Sequence, residues 1–213
     1  MTSSSITVNR PIPQKLAEVG KLPVAAYRDI RADLRTGDLL FCIGTKPVSR
    51  AVQTVTQSPY SHVALVVRML SVDRILLLGA EWPYGVRVVS LSSYLSNWNS
   101  SGKPYPGHLI VGRHGGLDLK SEDVLKMFLS ELIDVLGQPY SLRRVLRMGL
   151  RELAALIGLR FRRLRIKKAA VCSEYVHHAL SRLGIEIEWN HKGYILPTDI
   201  AADPNVVMVS RLL

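Results

Sequence analysis

An α+β fold, with antiparallel strands set beside helices, is the class this sequence predicts, and three patterns predict it. Short apolar runs such as 39–43 and 62–67 have the length of strands and are bounded by turn residues. Several are separated by only a few residues, which suits hairpins and not the long crossovers that parallel strands need. Around them lie stretches whose apolar residues recur at helical spacing, as in helices packed on one side against a sheet.

The elements follow in order. Residues 1–30 hold Pro11, Pro13 and Pro23 around a weak helical pattern and read as an N-terminal arm, leaving 31–213 as one domain. The turn Arg35-Thr-Gly-Asp38 leads into the strand 39–43. Pro47 opens a helix with Val48, Val52 and Val55 facing inward. The turn Gln57-Ser-Pro-Tyr-Ser61 enters the strand 62–67, apolar on both faces and therefore central. Strands at 74–78 and 85–89, a short helix at 92–98 and a strand at 107–113 come next. Ser121 caps a helix running to about residue 136, with Val124, Phe128, Leu132 and Val135 inward. A helix over 172–183, stopped by Gly184, and a strand over 206–212 complete the series.

Composition excludes several classes. The 213 residues are 47% hydrophobic and 21% charged, enough to build a core and too apolar for a disordered chain. Two cysteines, Cys42 and Cys172, are no disulfide framework, and no Cys/His spacing suits a zinc site, so no metal or other cofactor is expected. The first ten residues lack the apolar region of a secretory signal and no membrane-spanning run occurs. That points to the cytoplasm, or to delivery by a non-classical route such as a phage particle.

The net charge of +11 is concentrated. Residues 143–168 carry ten Lys/Arg and one acid, Glu152, a net of +9. Over 143–157, Leu146, Leu150, Leu153 and Ile157 fall on one helical face, with Arg143, Arg147 and Arg151 on another. Beyond Gly158 the apolar residues alternate with arginines and the segment can be extended. Such a basic amphipathic insertion reads as a docking surface for an anionic membrane or another polyanion, or as a solvated helix whose aliphatic side covers the core.

Two side chains stand out chemically. If 62–67 and 74–80 form a hairpin turning near residue 71, His62 falls opposite residue 80 or 81, and opposed residues have Cβ atoms ~5 Å apart. Glu81 is then the partner that fixes the imidazole tautomer and leaves the other nitrogen free as a base. Cys172 opens a helix, where the N-terminal field lowers a thiol pKa, and its spacing from Val176 aims it at the sheet. It is a nucleophile candidate, whereas Cys42, mid-strand among apolar residues, reads as core. Tyr60 is a candidate pocket hydroxyl. Glu174 fits a first-turn helix acid, and His177 and His178 read as structural or exposed.

The order of these motifs resembles a known family. Thr36-Gly-Asp38-Leu-Leu-Phe, Ser58-Pro-Tyr-Ser-His62-Val-Ala-Leu-Val, Gly79-Ala-Glu81 with Gly85-Val-Arg, Val171-Cys172-Ser-Glu174-Tyr-Val and Leu196-Pro-Thr-Asp199-Ile look like the permuted papain-like cysteine peptidases and amidases, the YiiX-like branch of the NlpC superfamily. The motifs cover residues 35–205 in the family's order, with the histidine strand before the cysteine helix. The resemblance implies a circularly permuted papain-like fold and a site of Cys172 as nucleophile, His62 as base and Glu81 as the residue orienting the ring. The expected function is cleavage of an amide bond in a peptide or cell-wall-type substrate through a thioester. A second reading keeps the site and makes the substrate a lipid, the enzyme an acyltransferase or phospholipase docked through 143–168. A third is an inactive scaffold binding nucleic acid or an acidic partner.

Overall fold

The structure is a computed structural model that describes residues 10–117, 120–155, 157–159, 161, 171–190 and 192–213. Fifteen elements organise it: β1 (Arg10–Pro11), α1 (Leu16–Gly20), α2 (Tyr27–Ile30), β2 (Leu39–Gly44), α3 (Pro47–Thr56), β3 (His62–Met69), β4 (Arg74–Glu81), β5 (Gly85–Ser90), α4 (Leu91–Ser96), β6 (Gly107–His114), α5 (Glu122–Ile133), α6 (Leu142–Ala155), α7 (Cys172–Arg182), α8 (Pro197–Ala201) and β7 (Val206–Arg211). The strands form one sheet in the order β1-β7-β6-β2-β3-β4-β5, and every pairing is antiparallel. The α+β class holds.

Each face of the sheet carries its own core. Alternation along β3 sends Val63, Leu65 and Val67 to one face, where they meet Val176, Ala179 and Leu180 of α7 and Phe128 and Leu132 of α5. Ala64 and Val66 go to the other, with Leu91 and Tyr94 of α4, Tyr105 and Ile30. A smaller cluster of Met148, Val171, Tyr194 and Leu196 lies under α6. β2 and β3, buried almost throughout, are the central strands the apolar runs predict.

Three expectations are corrected. Residues 10–30 of the expected N-terminal arm are part of the body: Arg10 and Pro11 pair with Met208 and Val207, and Ile12, Val19 and Leu22 are buried in the main core. The valines of α3 do not face inward, for no residue of that helix is buried and Val48 and Val55 are 56% and 42% exposed. The aliphatic face of α6 does not cover the core either, since Leu146 and Leu150 are 68% and 67% exposed. The helical period identifies an apolar face but not whether anything packs on it. Val124 at the start of α5 is likewise 36% exposed.

What anchors α6 is polar. Arg144 Nε donates to Glu174 Oε1 at 2.6 Å, and Glu174 is fully buried in the first turn of α7. Glu152 is bonded by Lys192 Nζ and the Tyr194 hydroxyl, both at 2.5 Å. Arg151 reaches the Lys192 carbonyl and stacks on Phe161. Two cations of the basic segment, Arg144 and Arg151, are thus structural. Residues 162–168, the most basic stretch of the expected insertion, lie outside the described residues, as does Arg160.

Candidate active site

Register places the first pair. Leu65 pairs with Leu78 across β3–β4, and the same antiparallel register carried to the strand ends sets His62 across from Glu81. His62 Nε2 lies 3.6 Å from Glu81 Oε1, with side chains 15% and 14% exposed. Gly79 makes room for the ring: a Cβ there would lie 3.5 Å from its Cε1 and Nε2, and 3.3 Å from Ala64. On its other side His62 pairs with Cys42 of β2. Cys42 is fully buried and its thiol is pushed well up by desolvation, which keeps it protonated.

The helix brings the third group. α7 packs on β3, and its first residue, Cys172, reaches the end of that strand. There the thiol stands beside the His62 side chain and the backbone N–H groups of Val63 and Ser173. Burial pushes the thiol pKa up, but the imidazole's charge and these three donors outweigh it, and the net shift is downward. Desolvation also pulls His62 down, while the Cys172 thiolate and Glu81 push harder the other way, so the imidazole ends above its ordinary value. The two directions agree: this environment favours a thiolate–imidazolium pair.

Glu81 is itself held. Arg87 Nε donates to its Oε2 at 2.8 Å and the Arg87 Nη2 group bonds the same oxygen. Nη2 also reaches Asn99 Oδ1 at 2.7 Å, and the guanidinium lies over the Tyr84 ring, 4.1 Å from its centroid. Arg87 pairs with Gly79 in the β4–β5 register, so its position beside Glu81 is a hairpin signal that the sequence reading passed over. Tyr140 was passed over too. The segment before it is bonded to β5 at both ends of a turn, Gly137 N to Val86 O and Val86 N to Gln138 O, each at 2.9 Å. That contact requires Gly85, whose φ is +84° and where a Cβ would fall 2.2 Å from Gln138 O. Tyr140 is thereby set next to Cys172, and burial with the thiolate's field raises its phenol pKa.

Tyr60 is not the pocket hydroxyl expected of it. It is fully buried against Phe41, and its hydroxyl donates to Pro13 O at 2.5 Å, so it ties the N-terminal segment to the core. Ser61, its neighbour, does line the site, its Oγ accepting from Gly44 N at 3.1 Å. Of the remaining histidines, His177 packs edge-on to Trp189, His114 accepts from Gly116 N, and His108 lies 3.1 Å from Arg211. His178 is exposed, and His191 is outside the described residues.

Two cavities open on the pair. One, of about 400 Å³, lies on the His62 side and is walled by Glu81, Trp82, Tyr84, Trp98 and Tyr105. The other, of about 480 Å³, lies between α3 and α6 with Cys172 in its wall. Val52, Ser61 and Tyr140 border both.

Comparison with solved structures shows a YiiX-like fold for this antiparallel sheet packed with helices. The chain is similar to the crystal structure of the metalloprotein YiiX from Escherichia coli O157:H7 (DUF1105), with TM-score 0.56 and 18% identity, covering 82% of this chain and 96% of that one. No protein-family model matches the sequence. No curated protein matches it either. The neighbour is described as a metalloprotein; in this chain no group of three or more His, Cys, Asp and Glu suited to a metal ion occurs among the described residues, and Glu81 is engaged by Arg87. Among the described residues no helix is long and apolar enough to cross a membrane.

Proposed function

We propose that the protein is a thiol hydrolase of the permuted papain-like kind, acting on an acyl bond, either the amide expected from the sequence or its ester counterpart. The observation that carries this reading is the placement of Cys172, at the start of α7, beside His62, at the start of β3, with the thiol shifted down and the imidazole shifted up. His62 takes the Cys172 proton, and the thiolate attacks the carbonyl carbon. The bond to nitrogen or oxygen breaks as the imidazolium returns its proton to the leaving group. Water, deprotonated by His62, then attacks the thioester, and the C–S bond breaks to give a carboxylic acid and the regenerated thiol.

Glu81 orients the ring and balances the imidazolium, held in turn by Arg87. The leaving group departs on the side of the proton donor, toward the aromatic-walled cavity. On this reading, backbone N–H groups at the start of α7 are the donors assigned to the developing oxyanion.

Iodoacetamide labelling with peptide mapping tests the reading. Cys172 is expected to be alkylated well below pH 8 while Cys42 stays unmodified, and Cys172→Ala is expected to abolish hydrolysis of anilide or ester substrates without lowering Tm. Full turnover by Cys172→Ala, or alkylation that begins only in the range of an unperturbed thiol, refutes it.

A further inference from the structure

A third cavity, of about 550 Å³, lies at the opposite end of the sheet from Cys172 and shares no lining residue with the two that open on the Cys172–His62 pair. Arg68, in its wall, stands six residues along β3 from His62, a distance of about 20 Å at ~3.3 Å per residue. A small molecule held there is out of reach of the thiol. The volume falls in the range of small-molecule sites.

The charge of its wall selects the ligand. Arg35, Arg68, Arg113 and Lys120 line it, and Asp38 is the one carboxylate among its described lining residues. Arg113 takes up that carboxylate, its Nε donating to Oδ1 at 2.6 Å and its Nη2 to Oδ2 at 2.8 Å, so Asp38 offsets Arg113 and little else. Arg68 is held differently. Its Nη1 donates to the carbonyls of Arg31, Ala32 and Leu34 at 2.9, 2.6 and 3.1 Å. These neutral oxygens fix the guanidinium without cancelling its charge, and a cation placed in advance loses little freedom when an anion arrives. The Thr36 hydroxyl oxygen accepts from Arg68 N at 3.0 Å, which leaves its proton to donate into the site. Leu117, Leu125 and Leu129 supply apolar wall beside these groups.

We propose that this cavity is a second binding site, for a soluble phosphomonoester with a ring-sized apolar body. Arg68 and Lys120 bring more positive charge than one carboxylate balances, and a phosphomonoester is close to a dianion at pH 7.5, its second pKa being about 6. The phosphate rests on Arg68, Lys120 and the Thr36 hydroxyl, and the apolar body lies against the leucines.

Calorimetric titration of the full chain with 1-naphthyl phosphate at pH 7.5 tests the site, with 1-naphthoate as the monoanion of similar shape. Saturable binding of one 1-naphthyl phosphate per chain is expected, about fivefold or more tighter than 1-naphthoate, since one further unit charge at ~4 Å is worth that even at the dielectric of water. Binding is expected to weaken as NaCl rises from 0.1 to 1 M, where the Debye length falls from about 10 to 3 Å. Arg68→Gln also loses three structural hydrogen bonds, so Lys120→Gln is the variant that isolates charge, and it is expected to weaken binding about fivefold. Absence of saturable binding, equal affinity for the two naphthyl anions, or native affinity in Lys120→Gln overturns the proposal.

Backbone amide shifts on titration locate the ligand. Shifts centred on Thr36, Met69, Ser71 and Lys120 are expected; shifts centred on Ser61, Trp82 and Tyr140 place the anion in the catalytic cavities and overturn the second site. Displacement of bound 1-naphthyl phosphate by soluble phenyl phosphate, but not by phosphatidate vesicles at equal phosphate concentration, is expected of a soluble ligand. Equal displacement by the vesicles overturns that source.

Discussion

Replacing Glu81 by glutamine isolates one electrostatic contribution without changing the shape of the site. The carboxylate stands 3.6 Å from His62 Nε2, and neither side chain is more than 15% exposed. Two unit charges at that separation interact by about 4–5 kcal/mol at an effective dielectric of ~20. Arg87, bonded to the other carboxylate oxygen, opposes part of this, and its field on His62 has the opposite sign. The net loss expected is about 1–2 kcal/mol, or roughly 5–30-fold in the rate at which Cys172 is acylated near neutral pH. The sign is definite. Glu81 raises the imidazole pKa, and the charged imidazole lowers the thiol's. Glu81→Gln therefore moves thiolate formation to higher pH, and the acid limb of the alkylation profile moves with it. Arg87→Gln is expected to shift that limb the other way, because Arg87 depresses His62. Alkylation of Cys172 followed from pH 4 to 9, beside thermal melts of each variant, measures both. If the Glu81→Gln profile superimposes on the native one, Glu81 neither orients nor charges the histidine.

Three further outcomes are expected. Tyr60→Phe removes the hydroxyl bonded to Pro13 and leaves its carbonyl unpaired in the core, lowering stability by about 1–3 kcal/mol while turnover persists; loss of turnover with native Tm returns Tyr60 to the site. Arg144→Ala strips buried Glu174 of its guanidinium and costs about 3–5 kcal/mol in chemical denaturation, whereas Arg147→Ala, on the exposed side of the same helix, changes stability by less than about 0.5 kcal/mol. Equal effects of the two would mean that the Arg144–Glu174 pair does not anchor α6. Gly79→Val adds methyls against a Cβ position already 3.5 Å from the His62 ring, and the displaced imidazole should slow Cys172 alkylation at pH 7; an unchanged rate would show that the ring does not depend on that space.

The sequence by itself determined the elements that local period and hairpin geometry control. A run apolar on both faces placed β3 as a buried central strand, and the short turn near residue 71 set the register that faces His62 with Glu81, because two residues joined by a tight hairpin have little freedom in how they pair. The helix start at Cys172 was legible for the same local reason, and the family's motif order supplied the expectation that it meets His62. Only the tertiary structure decided how the partners are arranged. Cys172 and His62 are 110 residues apart in sequence, and their juxtaposition depends on α7 packing on β3, a long-range contact that no periodicity encodes. Arg87 was within reach of the local β4–β5 hairpin pattern, whereas Tyr140 entered the site through a contact with β5 that becomes visible only when the sheet is assembled. The apolar faces of α3 and α6 show the limit most clearly. A helical repeat states which side is greasy, and the valines of α3 read as core and the leucines of α6 as either a docking face or a cover for the core; the topology left those sides uncovered around the cavity beside the thiol, because the buried ion pairs of Arg144 and Glu152, and not Leu146 and Leu150, hold α6 to the body.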